Sequence, residues 1–82
     1  MKNLVYIFLF ITSFLFAQSG FEKGNVLYQQ GQYEQAIQAY ENVLDSHQQS
    51  ADLYFNLGNC YYKLNKVAPS IYNYEKALVL AP

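Results

Sequence analysis

The stretch ADLYFNLGNCYYKLNKVAPSIYNYEKALVLAP, Ala51 to Pro82, decides the fold. Large and small residues stand in it at set intervals: Tyr54, Leu57-Gly58, Tyr61, then Ser70, Tyr74, Ala77 and Pro82. Leu57, Tyr61 and Leu64 share one side of a helix, and Ile71, Tyr74, Ala77 and Leu78 share one side of another. Phe55 and Tyr62, with Asn59 between them, give the first helix a second stripe, which suits an inner helix packed on two sides. Ser50 or Asp52 can cap that helix. Asn65-Lys66 makes the turn, and Pro69 falls near the start of the next helix, where its missing N–H costs little. The stretch is a helix–turn–helix hairpin.

The residues before it repeat the pattern. A shift of 34 positions lays Phe21 on Phe55, Gly24 on Gly58, Asn25 on Asn59 and Tyr28 on Tyr62. Without a gap it also lays Ile37 on Ile71, Tyr40 on Tyr74, Glu41 on Glu75 and Leu44 on Leu78. Leu27 with Tyr61, Ala36 with Ser70 and Val43 with Ala77 follow as near matches. Gln18 to Gln30 forms a helix that Gly31 ends, and Gln32 to Ser46 a second with Ala36, Ile37, Tyr40, Val43 and Leu44 as its stripe. The fold class is all-α: two tandem hairpins, residues 18–50 and 51–82, form a piece of α-solenoid behind an N-terminal signal helix. Gly20 and Lys23 stand where the second hairpin has Tyr54 and Leu57, so the first turn of the first helix is expected to fray.

The ordered set Tyr54, Leu57-Gly58, Tyr61, Ser70, Tyr74, Ala77, Pro82 resembles the tetratricopeptide repeat, a helix–turn–helix unit of about 34 residues. The resemblance implies a stack of hairpins whose first helices line a concave surface that binds other proteins. It also gives the repeated glycines a purpose. A mid-helix Gly costs about 1 kcal/mol relative to Ala. In the family's geometry that Gly lets the two helices of a hairpin close up, here Gly24 on Ala36 and Gly58 on Ser70. The first hairpin departs from the pattern at Gly20, at Lys23 and at Gln48, which replaces the closing Pro.

Met1 to Ala17, MKNLVYIFLFITSFLFA, has one Lys, a continuous apolar run and a small residue at its end. This is the layout of a secretory signal peptide. The run is short for a bilayer span, which takes about 20 residues. Cleavage after Ala17 or after Ser19 is expected, with a retained anchor as the alternative. No Cys follows the run, which argues against a lipid-modified N-terminus.

Composition narrows the function. The 82 residues carry five Lys, no Arg and a net charge of −1, so no basic stripe exists to neutralise phosphates and a nucleic-acid partner is not expected. The lone Cys60 cannot form an internal disulfide, and on the core side of its helix it reads as a small buried hydrophobe. His47 stands alone in a polar connection without companion ligands, so it reads as exposed. No nucleophile–base set, phosphate loop or metal cluster is present, and neither enzyme activity nor a cofactor is expected.

A partner protein or peptide is the expected ligand. The candidate residues are Phe21, Asn25, Tyr28 and Gln29 in the first repeat, and Phe55, Asn59, Tyr62 and Lys63 in the second. Asn offers both a donor and an acceptor to a peptide backbone, while the aromatics cover its apolar side chains. The alternative is that these rings only pack between repeats. Family members that read chaperone tails clamp a terminal carboxylate with Lys and Asn, but Phe21 and Phe55 occupy the places where that Lys matters. A chain this short has a small core surplus, and self-association through an uncapped repeat end is also expected.

One resemblance is narrower. The signal-like run, the FEKGN opening and LYFNLGNCYYKLNKVAPSIYNYEKALVLAP together resemble the N-terminal part of BatE-type proteins, tetratricopeptide proteins of the aerotolerance operon in Bacteroidetes. That resemblance implies an exported scaffold, periplasmic or associated with the inner membrane. The alternative it raises is a structural N-terminal part of a longer membrane-associated protein whose activity lies beyond Pro82.

Overall fold

The computed structural model describes residues 19–82, so the signal segment lies outside the described residues. All regular structure among them is helical: α1 (Gly20–Gln29), α2 (Tyr33–Asp45), α3 (Ala51–Lys63) and α4 (Val67–Leu80). α1 packs on α2 and α3 on α4 as two hairpins, and α3 also lies along α2 and touches α1.

Side-chain caps start two of the helices. The Ser19 hydroxyl accepts the Glu22 N–H at 3.1 Å, and the Ser50 hydroxyl accepts the Leu53 N–H at 3.1 Å. Each satisfies one backbone donor that the helix leaves open. The expected fraying of the first turn is therefore corrected: α1 is helical and capped from Gly20. Gly20 itself favours this, because a Cβ there would lie 2.7 Å from Val43 Cγ2. The missing side chain lets the start of α1 settle on α2.

The three connections end their helices in one way. Gly31, His47 and Asn65 have φ of 76°, 62° and 60°, in the left-handed region. At each, two N–H groups turn back to carbonyls of the last helical turn: Gly31 to Tyr28 and Gln32 to Leu27, His47 to Leu44 and Gln48 to Val43, Asn65 to Tyr62 and Lys66 to Tyr61. These are Schellman closures, with Gly or a tolerated His or Asn at the left-handed position. His47 is exposed, and its contribution is backbone geometry.

The core lies where α3 covers the first hairpin. Ala36, Tyr40, Leu53, Leu57 and Cys60 form its buried cluster, with Phe21, Leu27, Tyr28, Ile37, Val43, Leu44, Tyr54 and Tyr61 packed around it. The glycines act here, and the nearest neighbours are rings that the spacing did not show. A Cβ on Gly24 would overlap the Tyr40 ring, and one on Gly58 would lie 2.6 Å from Tyr74 Cδ1. Ser70 does meet Gly58 as expected, donating from Oγ to the Gly58 carbonyl at 3.0 Å.

Candidate protein-interaction surface

α1 and α3 lie side by side, so their matching faces make one surface. Between them is a recess of about 420 Å³ lined by Asn25, Tyr28, Gln29, Tyr40, Asn56 and Asn59. No charged side chain lines it. Amides and phenol hydroxyls dominate, and a chain laid across it would meet polar groups of fixed orientation.

One hydrogen-bonding device recurs in both repeats. Tyr40 donates its hydroxyl to Asn25 Oδ1 at 2.5 Å, and Tyr74 donates to Asn59 Oδ1 at 2.5 Å. Asn56 Nδ2 also donates to Asn25 Oδ1 at 3.1 Å, tying α3 to α1. These bonds revise the chemistry expected of the two asparagines. Asn25 Oδ1 accepts twice and is filled, so Asn25 offers a ligand its amide N–H pair, while Asn59 keeps its N–H pair and one acceptor site. Asn56 Oδ1 and Gln29 add acceptors beside them. The recess suits a peptide main chain, which carries both carbonyls and N–H groups.

The other candidates divide between two places. Tyr28 and Gln29 belong to this recess, whereas Phe21 packs against the core with its ring centroid 5.9 Å from that of Tyr40. Tyr28 is packed there too, edge-on to Tyr33 at 5.2 Å. In the second repeat Phe55 and Tyr62 are 52% and 68% exposed. Phe55 lines a separate apolar recess with Tyr74 and Leu78, and Tyr62 and Lys63 line another with Lys66 and Ile71. Asn25 and Asn59 therefore share a recess, and Phe55, Tyr62 and Lys63 lie on the open side of α3.

Asn56 and Tyr40 are the lining residues that the sequence reading left out. Asn56, Asn59 and Lys63 stand at i, i+3 and i+7, a spacing that puts Asn56 on the amide face. Nothing in the spacing of Tyr40 shows that its hydroxyl crosses to α1.

Burial tunes the titratable groups around the core. It pushes the Tyr40 hydroxyl up to about 12, with the neighbouring Cys60 adding to the shift. Burial alone pushes the Cys60 thiol up to about 11, so at neutral pH it is a protonated and unreactive core group. Tyr61 is raised first by burial and then by Glu41, whose carboxylate accepts its hydroxyl at 3.2 Å. Among the described residues no group of three or more His, Cys, Asp or Glu is placed to hold a metal ion. No helix among them is long and apolar enough to cross a membrane.

Comparison with known proteins agrees with this architecture. A family model described as "TPR repeat" matches residues 24–65, and one described as "Tetratricopeptide repeat" matches residues 51–82. Tetratricopeptide repeat protein 16 of Homo sapiens and that of Macaca fascicularis are each 34% identical over 55 residues, 67% of this chain and 6% of theirs. The Hsp70-Hsp90 organizing protein of Triticum aestivum is 33% identical over 61 residues, 74% of this chain and 10% of its own. The chain thus spans at most a tenth of the length of these relatives. The helical hairpins, their register and the matched models agree that the chain belongs to the tetratricopeptide repeat family.

Proposed function

We propose that the chain is a non-catalytic interaction scaffold of the bacterial cell envelope that holds an extended segment of a partner protein across the α1/α3 surface. The amide-lined recess carries this reading. With Asn25 Oδ1 and Asn59 Oδ1 taken by tyrosine hydroxyls, the free amide N–H groups match the carbonyl oxygens of a peptide main chain. The uncharged lining favours recognition by main-chain hydrogen bonds and aromatic cover over recognition by charge. Association weakly dependent on salt is the corollary.

The envelope location rests on the Lys-led apolar run from Met1 to Ala17 and on the BatE-type resemblance of the chain after it. In that reading the run directs export, and the repeats work in the periplasm or at the inner membrane, aerotolerance being the setting the resemblance suggests. Intact-mass measurement of the protein recovered from a bacterial host tests the location. Loss of the run from exported protein supports it, and an unprocessed chain left in the cytoplasm refutes it.

A photo-crosslinking residue in place of the exposed Gln29 tests the binding reading in cells. The expected adduct is with one envelope protein, mapped to one extended segment, and it is lost on Asn59→Ala. An adduct indifferent to Asn59→Ala would mean that the amide recess does not hold the partner.

A further inference from the structure

The recess between α1 and α3 has a hydrogen-bonding order set by its floor. Asn25 Oδ1 accepts from the Tyr40 hydroxyl and from Asn56 Nδ2, so both its lone pairs are filled. Asn56 spends one N–H on that bond and keeps its Oδ1. Among the described residues, neither the Asn25 N–H pair nor Asn56 Oδ1 has a hydrogen-bond partner. Both groups are within reach of solvent, since every sealed side-chain polar atom among those residues is paired. A fixed donor pair and an open acceptor therefore stand together in a recess of about 420 Å³. Tyr28 and Gln29 complete its walls, and no charged side chain lines it. Both walls belong to α1 and α3, so the contact between the two repeats is enough to build it.

We propose that this recess selects a primary amide: the partner segment crossing the α1/α3 surface places an Asn or Gln side chain between Asn25 and Asn56. The inference rests on the peptide-binding reading and names the residue that the peptide carries. A primary amide has an oxygen that accepts and an NH2 group that donates. The Asn25 N–H pair serves the oxygen, and Asn56 Oδ1 receives the NH2. Asn59, in the same recess, is left for the main chain. Other side chains leave part of this set unmet. An apolar one displaces water from Asn25 and Asn56 and returns no hydrogen bond. A carboxylate gives Asn56 no donor, and an ammonium or guanidinium gives Asn25 no acceptor. Either charge would also enter a lining that holds no counter-charge. A hydroxyl donates and accepts through one atom and meets fewer of these groups.

Asn25 also offers a variant that separates the two tasks of its side chain. In Asn25→Asp one carboxylate oxygen still accepts from Tyr40 and Asn56, so the bonds within the fold are kept. Only the N–H pair is exchanged, for an oxygen that accepts. The same change turns the preference of the recess from a primary amide to a cation.

A library of short randomised segments, displayed inside a carrier protein and panned on the full chain as recovered from the expressing cell, supplies the probe. The selected segments should share one Asn or Gln at an aligned position. In a synthetic copy with blocked ends, exchange of that residue for Glu or for Leu should weaken binding to the unaltered chain about tenfold or more, read by calorimetry. Asn25→Asp should weaken the amide-bearing peptide by a similar factor at unchanged helix content, and Lys in place of the amide residue should recover most of the loss. If Asn25→Asp disturbs folding, the peptide series on the unaltered chain decides. Peptides that depend on Asn59 yet share no Asn or Gln, or that accept Leu in its place, overturn the amide selection and leave the main-chain reading standing. A library with no binder that depends on Asn59 overturns both.

Discussion

The two repeats use one pattern and reach different degrees of burial. Tyr40 and Tyr74 each lie over a glycine and donate to an asparagine fifteen residues earlier, yet Tyr40 is 1% exposed and Tyr74 is half-buried. Phe21 packs against the core, and its counterpart Phe55 is 52% exposed. Ile37 and Ile71 differ in the same direction. The hairpin interior is encoded within each repeat, whereas the rest of the burial comes from the helix that follows. A solenoid side chain thus owes part of its stability to the next unit.

Truncating the tyrosines breaks this comparison most sharply. Tyr40→Ala should cost about 3–5 kcal/mol, the range for a large buried ring, and abolish cooperative unfolding of a chain with a small surplus. Tyr74→Ala should cost less than half as much. Urea melts followed by circular dichroism check both, and equal costs would mean that α3 adds little to the burial of Tyr40.

Filling the glycines gives a smaller contrast. Gly24→Ala sets a methyl group against a ring that cannot move, and should cost about 1–3 kcal/mol from overpacking despite the better helix propensity of Ala. Gly58→Ala meets the half-exposed Tyr74, which has room to shift, so the gain in propensity should bring the net change near zero. Thermal midpoints of the two variants distinguish the cases. Destabilisation by Gly58→Ala as large as that by Gly24→Ala would show that Tyr74 is held as firmly as Tyr40.

Removing only the hydroxyl probes the shared bridge. Tyr40→Phe should cost about 1 kcal/mol, because Asn25 keeps its bond from Asn56. Tyr74→Phe leaves Asn59 Oδ1 to water and should cost less. Denaturant midpoints resolve the difference, and amide-proton shifts of the two asparagines report whether the recess has changed its donors.

The remaining effect is absent at neutral pH. Cys60 is raised from 9.0 to about 11 and Tyr40 from 10.0 to about 12, both chiefly by burial. Each is neutral in the fold, and the unfolded chain ionises first. Their contribution is full below pH 9 and is lost as the pH rises towards 11 and 12. Melting temperature should therefore be level up to about pH 9 and fall beyond it, and Cys60→Ala should delay the onset.

Most of the architecture was legible in the sequence. The 3.6-residue spacing of Leu57, Tyr61 and Leu64, the 34-residue register and the breaks at Gly31 and Asn65 fix four helices in two hairpins, because each is a local signal. The burial of Cys60 and the exposure of His47 followed from their positions on or between those helices. Contacts made by long side chains were not legible. Spacing brings Gly58 opposite α4, but whether Ser70 or the Tyr74 ring fills the gap depends on ring reach and rotamer. The first turn of α1 was misjudged because its family residues are absent, while Ser19 and the Val43 contact of Gly20 hold it by another route. Within the candidate surface, both asparagines fell on the correct face. Their engaged oxygens were hidden, since the tyrosines that engage them lie on a different helix.

Cys60 lies within the junction of α1, α2 and α3 and is 0% exposed. It is also the chain's sole thiol. It therefore serves as a built-in clock for the stack. A thiol reagent can reach the sulfur only when the contact between the repeats opens, so where reclosing outpaces labelling the labelling rate divided by that of an unprotected thiol gives the opening equilibrium. No added probe is needed, and ligands that clamp α1 to α3 can be ranked by how far they slow the clock.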